Sequence, residues 1–369
     1  MLNPLMINLR EGKRKVEDVL EDLCNIQVKD LEQKREVAYM RAWCSMLRDR
    51  WDEAAQFILP EEISGETITD LRELGSTERR RRPYYLLVMG EVASRLRSYD
   101  QAIEHYTLCL RLLGERRMND PNRRIRALLG LGRCYLETGS STNALEYYQQ
   151  ALRLCYKENR QFHLPHIFYG LGETFRHLNH LECALEYGKQ ALRLSTEHGD
   201  QHSLCQIYRL LGDIHRQMGN LETANASYTE ALVLAMCTES ADAIVTCLTT
   251  LADLRLQEEK PEDAWRYCEM ALDSRQRDAL PSCVGRMYVI CGKVREALAH
   301  KAGGQEHVEQ AISSYEQAIK TLGQINARSE LAETYSLLAH LLEESGRPDQ
   351  AIATWKLACS IYDPSCLSL

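Results

Sequence analysis

The chain has little proline, almost no phenylalanine and no long uncharged apolar run. Only 9 prolines stand in 369 residues, so few positions deny a helix its backbone donor and long helices can form without interruption. Charged residues break every apolar stretch well short of the ~20 residues that span a bilayer. The first residues also lack the basic, apolar, small-residue order of a secretory signal. A soluble, cytoplasmic protein is therefore expected. The 14 cysteines include no Cys-x-x-Cys pair. They occupy helical positions such as Cys109, Cys155, Cys183, Cys205 and Cys268, which predicts reduced, mostly buried thiols rather than a disulfide framework or structural zinc.

Signatures of catalysis are missing too. Gly285 and Gly292-Lys293 are spaced too widely for a phosphate loop, and Val294 stands where Ser or Thr would hold magnesium. Gly130-x-Gly132 lacks a third glycine, and neither a Gly-x-Ser-x-Gly elbow nor a His-Glu-x-x-His pair occurs. His163, His166, His177, His180, His198 and His202 crowd one stretch. On one predicted helix, however, His166 and His177 are roughly 16 Å apart at ~1.5 Å per residue, too far to share an ion. His163 and His166 flank the connector before Pro165 without a nearby carboxylate. These histidines are expected to be solvated or capping. No metal and no cofactor is expected, and the chain reads as non-enzymatic.

What the sequence does have is repetition. Leu131-Gly132, Leu171-Gly172, Leu211-Gly212, Leu251-Ala252 and Cys291-Gly292 recur at an interval of 40 residues, as do Ala144, Ala184, Ala224 and Ala264, and Ala151, Ala191, Ala231 and Ala271. Such a period marks an array of supersecondary units, each of which buries its apolar face by stacking on its neighbours. Within one period Gly132, Tyr135, Ala144, Tyr148 and Ala151 have helical spacings, divided by Gly139-Ser140-Ser141. Two antiparallel helices with a tight turn are predicted, small residues sitting where the backbones approach and tyrosines and leucines filling the space beside them. Gly219-Asn220 and Gly346-Arg347-Pro348 mark further helix ends.

The order large-x-x-Leu-Gly-x-x-Tyr, then Ala-x-x-x-Tyr-x-x-Ala, resembles the tetratricopeptide repeat, and Leu128, Leu131, Gly132, Tyr135, Ala144, Tyr148 and Ala151 carry the likeness. The period exceeds the basic unit of about 34 residues. It resembles the extended form seen in kinesin light chains, Leu-Gly-Asn-type adaptors and bacterial sensor and regulator modules. The resemblance implies an all-α, right-handed solenoid of about seven to eight helix pairs, with units starting near Glu36, Pro83, Ile125, Pro165, Cys205, Val245, Gly285 and Ala332. Residues 1–34, with Val16, Val19, Leu20 and Leu23 on one face, are expected to be capping helices ahead of a solenoid over 35–369. Ser195 to Asp200 reads as a segment between units. Extra residues around Ala302-Gly303-Gly304-Gln305 predict a lengthened turn, and a second insertion spans 59–76.

Charge is uneven along the chain. The net charge is −8, yet residues 79–126 hold twelve arginines and no lysine against Glu91, Asp100, Glu104, Glu115 and Asp120, a local excess of +7. Arg79 to Arg82 are read as a connector before Pro83, and Arg116, Arg117, Arg123, Arg124 and Arg126 as surrounding the next one. A solvated connector or an acidic protein partner accounts for them better than nucleic acid in an acidic chain.

The family resemblance implies which residues of each first helix line the concave groove. They are Arg126, Leu129, Arg133 and Leu136; then His166, Tyr169, Glu173, Arg176 and His177; then Gln206, Arg209, Asp213, Arg216 and Gln217. Arginines beside aromatic and acidic residues suit a carboxylate-bearing peptide. The plainer alternative is a hydrated groove with internal salt bridges. A chaperone-tail clamp would need Asn where Glu91, Arg133, Glu173 and Asp213 stand. The expected function is that of an interaction scaffold or adaptor binding a protein or peptide segment of acidic character, with neither nucleic acid nor membrane as partner and self-association left open. The alternative is a peptide- or ligand-responsive regulatory module working with a separate transcription or signalling effector.

Overall fold

The computed structural model describes residues 16–25, 34, 37–38, 40–42, 44–45, 54, 56–57, 76–114, 120–274, 279–302, 304–325 and 327–361. Among them are fifteen α-helices, one 3-10 turn and no strand. In chain order the helices are α1 (Val16–Asn25), α2 (Ser76–Arg95), α3 (Tyr99–Leu113), α4 (Pro121–Glu137), α5 (Ser141–Lys157), α6 (Leu164–His177), α7 (Leu181–His198) and α8 (Gln201–Gln217). They continue with α9 (Leu221–Cys237), α10 (Ala241–Gln257), α11 (Pro261–Ser274), α12 (Pro281–Ala302), α13 (Gln305–Gln324), α14 (Arg328–Glu344) and α15 (Pro348–Ser360). No described helix is long and apolar enough to cross a membrane.

One backbone device closes most of these helices. Left-handed residues fall at Gly139, Asn159, Asn179, Gly199, Gly219, Glu239 and Glu259, one every 20 residues. The residue after the left-handed one donates back to the preceding helix: Ser140 N to Tyr135 O at 2.8 Å, Asn220 N to His215 O at 2.8 Å, and Lys260 N to Arg255 O at 3.0 Å. That bond satisfies a carbonyl the helix end would otherwise leave unpaired. Three first helices also begin on a side-chain cap: Asp120 accepts from Arg123 N, Asp200 from Ser203 N and Ser240 from Ala243 N.

The helices form two compact units, Met1–Leu178 and Asn179–Leu369. In the first, Leu87, Ala102, Tyr106, Cys109, Leu112, Ala127 and Leu131 share a core. Glycine sets how closely the helices approach. A Cβ at Gly90 or Gly130 would lie 2.7 or 2.3 Å from the Tyr106 ring, and one at Gly132 or Gly170 would lie 2.7 or 2.3 Å from Tyr148. The second unit repeats the contact with Gly212 against Tyr228 and Gly292 against Tyr315. Gly188 stands where α5 and α9 place tyrosine, and Leu211 fills the space, 2.8 Å from where a Cβ would be. Val245, Cys247, Ala264, Cys268, Met287 and Cys291 form one core of this unit.

Several expectations change. Arg79 to Arg82 are not a connector: they lie within α2, which continues through Pro83, and the Arg82 side chain is buried. The extra residues near Gly303 lengthen helices rather than the turn, α12 reaching 22 residues and α13 20 against 17 in α8. Ser195 to His198 belong to α7, so only Gly199 and Asp200 separate it from α8. His163 is buried rather than solvated, and its Nε2 stands 3.4 Å from Asn122 Oδ1. In the expected N-terminal cap, α1 buries Val19 and Leu23, and Arg41 donates to the Leu23 carbonyl at 2.8 Å. The remainder of residues 1–34, the first unit start at Glu36, the 59–75 insertion, Arg116 and Arg117 lie outside the described residues.

Candidate binding face of the first helices

The candidate residues lie on α4, α6 and α8, and internal partners occupy most of them. On α4, Arg126 reaches Glu91 of α2 at 2.6 Å. Burial works against the Arg126 charge, but the Glu91 carboxylate outweighs it and holds the guanidinium above its usual range. Two turns along, Arg133 is exposed and forms no ion pair among the described residues. Its charge acts on the phenols of Tyr106 and Tyr148, both of which burial holds neutral.

On α6 the residues form a chain of their own. Tyr169 Oη donates to Glu173 at 3.3 Å, and Arg176 donates to the other oxygen of the same carboxylate at 3.1 Å. His177 Nε2 lies 3.8 Å from that carboxylate and 3.0 Å from the Arg176 guanidinium. Residues three and four apart on a helix share a face, which brings these four side chains together around Glu173. Arg176 is only 16% exposed in its side chain, so it is less open than the sequence implied.

In the second unit Tyr228 of α9 donates to Asp213 at 2.6 Å, and Arg216 pairs with Asp253 of α10 at 2.6 Å. Burial opposes the Arg216 charge, and Tyr228, Asp213 and Asp253 overcome it. Gln206 Nε2 is 3.0 Å from His202 Nε2. Arg209 lies beside the Cys205 and Cys247 thiols, whose hydrogen bond lowers the Cys205 pKa and raises that of Cys247.

Glu91 in the first unit, and Asp253 and Tyr228 in the second, are thus partners of the candidate residues; the reading of the groove named Glu91 only as a position where a chaperone-tail clamp would need Asn, and the other two not at all. The missed signal is opposite charge at nearly one period: Arg126 follows Glu91 by 35 residues and Asp253 follows Arg216 by 37. Similar separations carry Lys301 to Glu262, 39 residues apart, and Leu280 N to Asp242, 38 apart. The Arg126–Glu91 and Arg216–Asp253 bonds tie a first helix to its counterpart in the next repeat, and Lys301–Glu262 ties α12 to the preceding second helix α11.

Residues 101–281 match the family described as the MalT-like TPR region. No curated protein sequence matches the chain. Among solved structures, a Rap protein complexed with competence and sporulation factor is similar over 100% of this chain and 97% of its own, at 14% identity and a TM-score of 0.65. NprR in complex with its cognate peptide NprX aligns over 93% of this chain and 98% of its own, at 14% identity and a TM-score of 0.60. The Rap conjugation gene regulator of plasmid pLS20, in complex with the Phr peptide, aligns over 95% and 93%, at 17% identity and a TM-score of 0.59. Repeat motif, glycine–tyrosine packing, the family match over residues 101–281 and the structural neighbours agree on a helical-repeat fold similar to that of tetratricopeptide-repeat proteins.

Proposed function

We propose that the chain is a non-enzymatic, peptide-responsive regulatory module that takes up a carboxylate-bearing segment of a partner along its first helices and acts with a separate effector. The observation that carries this reading is Arg133, an exposed residue that, unlike Arg126 and Arg176 of the same unit, makes no ion pair among the described residues. An incoming carboxylate can pair with Arg133 directly. At Arg126 and Arg176 it must exchange with an internal acid, which leaves little net gain. Tyr169 supplies an apolar surface with Glu173 and His177 beside it, and Gln206, Arg209 and Asp213 are the proposed contacts of the second unit. Peptide complexes of two fold neighbours, with NprX and with Phr, support a peptide ligand.

Fluorescence anisotropy with labelled synthetic pools of acidic and of basic peptides tests the proposal. The acidic pool should bind better and lose affinity as salt rises, because exposed charge pairs are screened. Arg133→Glu should weaken that binding at least about tenfold, equivalent to about 1.4 kcal/mol, while Arg126→Gln has a smaller effect. Equal binding by the parent and Arg133→Glu would defeat the reading. An adaptor for a folded protein is the second reading, favoured by Val233, Met236 and Met270, which stand exposed on the second helices α9 and α11.

A further inference from the structure

Three side chains with metal-ligand chemistry converge in the second unit. Glu296 and His300 stand one turn apart on α12, Glu344 ends α14, and one ligand atom from each lies within 4.8 Å of the other two. Residues four apart point to the same side of a helix, so Glu296 and His300 can chelate together. Glu344 adds a third ligand from another helix.

A surface ion pair accounts for His300 and Glu344, whose closest atoms are 3.6 Å apart, but it does not account for Glu296. That carboxylate is held from below. The Tyr315 ring is fully buried, and its Oη donates to Glu296 Oε2 at 2.9 Å. Tyr228, the corresponding residue in its own repeat, donates instead to Asp213, next to Gly212. The residue after Gly292 is Lys293, and the phenol reaches an acid one turn further on, beside His300. An outer hydrogen bond that fixes a carboxylate is what metal sites use to orient their ligands.

We infer that Glu296, His300 and Glu344 form a binding site for a divalent transition-metal ion of the zinc class. An imidazole with two carboxylates suits such an ion, whereas calcium and magnesium take shells of oxygen alone. The two carboxylates balance the charge of the ion. His300 and Glu344 are exposed, so water completes the coordination. The ion ties α12 to the end of α14 and thereby links two successive repeats.

The full-length chain, stripped of metal by chelation, is titrated with Co2+ alone and, by calorimetry, with Zn2+ alone. One equivalent should bind, with visible cobalt d–d absorption and no sulfur-to-cobalt charge transfer. His300→Ala and Glu344→Gln should each lose that equivalent and the rise in Tm that zinc gives the parent. Both residues are exposed, so the metal-free variants should melt with the parent. Tyr315→Phe should keep the site at about tenfold lower affinity. Three outcomes overturn the inference: no binding, a thiolate signature that puts the ion on cysteines such as Cys183 or Cys237, or unchanged stoichiometry in His300→Ala.

Discussion

Two glycines of similar helical setting should respond to alanine with opposite signs. At Gly212 a Cβ would lie 2.4 Å from the Tyr228 ring, whereas at Gly323, inside α13, nothing lies within 4 Å. Gly212→Ala should therefore cost about 1–3 kcal/mol by overpacking, and Gly323→Ala should add about 0.5–1 kcal/mol by removing backbone freedom from the unfolded chain. Urea midpoints that moved in the same direction for both would contradict this packing. The Gly–Tyr contact was legible, because Gly132 and Tyr148 sit in the repeat motif. The burial of His163 was not, since nothing in its local sequence distinguishes it from its exposed neighbours His180 and His198. Burial, aided by the charges of His166, Arg126 and Arg160, lowers the His163 pKa to about 4. The unfolded chain then takes up a proton near the ordinary value of about 6.5, before the folded one does. Stability is complete above that pH and falls as pH drops toward about 4, by roughly 1–3 kcal/mol for this residue. In His163→Gln, pH-dependent urea melts should show a shallower acid slope, and an unchanged slope would assign the loss to other groups.

At the scale of helices, termination rather than initiation carries the regularity. Glu259 adopts φ +60° after α10, in the place that Gly139 and Gly219 hold after α4 and α8. A side chain in the left-handed region is disfavoured by about 1 kcal/mol or more, so Glu259→Gly should stabilise the protein by about 0.5–1 kcal/mol. A lower midpoint in thermal or urea melts would show that contacts of the glutamate outweigh its backbone strain. Gly139, Gly219 and Gly346 made their turns readable in the sequence. Glu239 and Glu259 did not, because there the turn is imposed by packed helices on both sides rather than by local preference. The same cause explains the extra residues near Gly303. They could extend α12 and α13 because helix propagation adds a hydrogen bond per residue, whereas a longer turn adds exposed backbone without that return.

For the molecule as a whole, the repeat and its helical character were open to inspection, while the electrostatics of the candidate residues were not. Arg126, Arg176 and Arg216 looked available because each was judged within its own helix. Glu91 and Asp253, which neutralise two of them, lie on helices of neighbouring repeats. Pairing of this kind keeps an arginine-rich surface from acting as a general trap for anions, and under the proposed function it leaves Arg133 to discriminate. The even placement of left-handed residues has a different consequence. Gly199 before Asp200 and Glu239 before Ser240 present the same backbone turn followed by the same type of helix cap. If Gly199 were joined directly to Ser240, the chain would meet a junction of a kind it already contains. Its length is thus a quantity that duplication or loss of whole periods can alter without inventing a new joint, and the number of first helices open to a ligand under the proposed function would change in the same discrete steps.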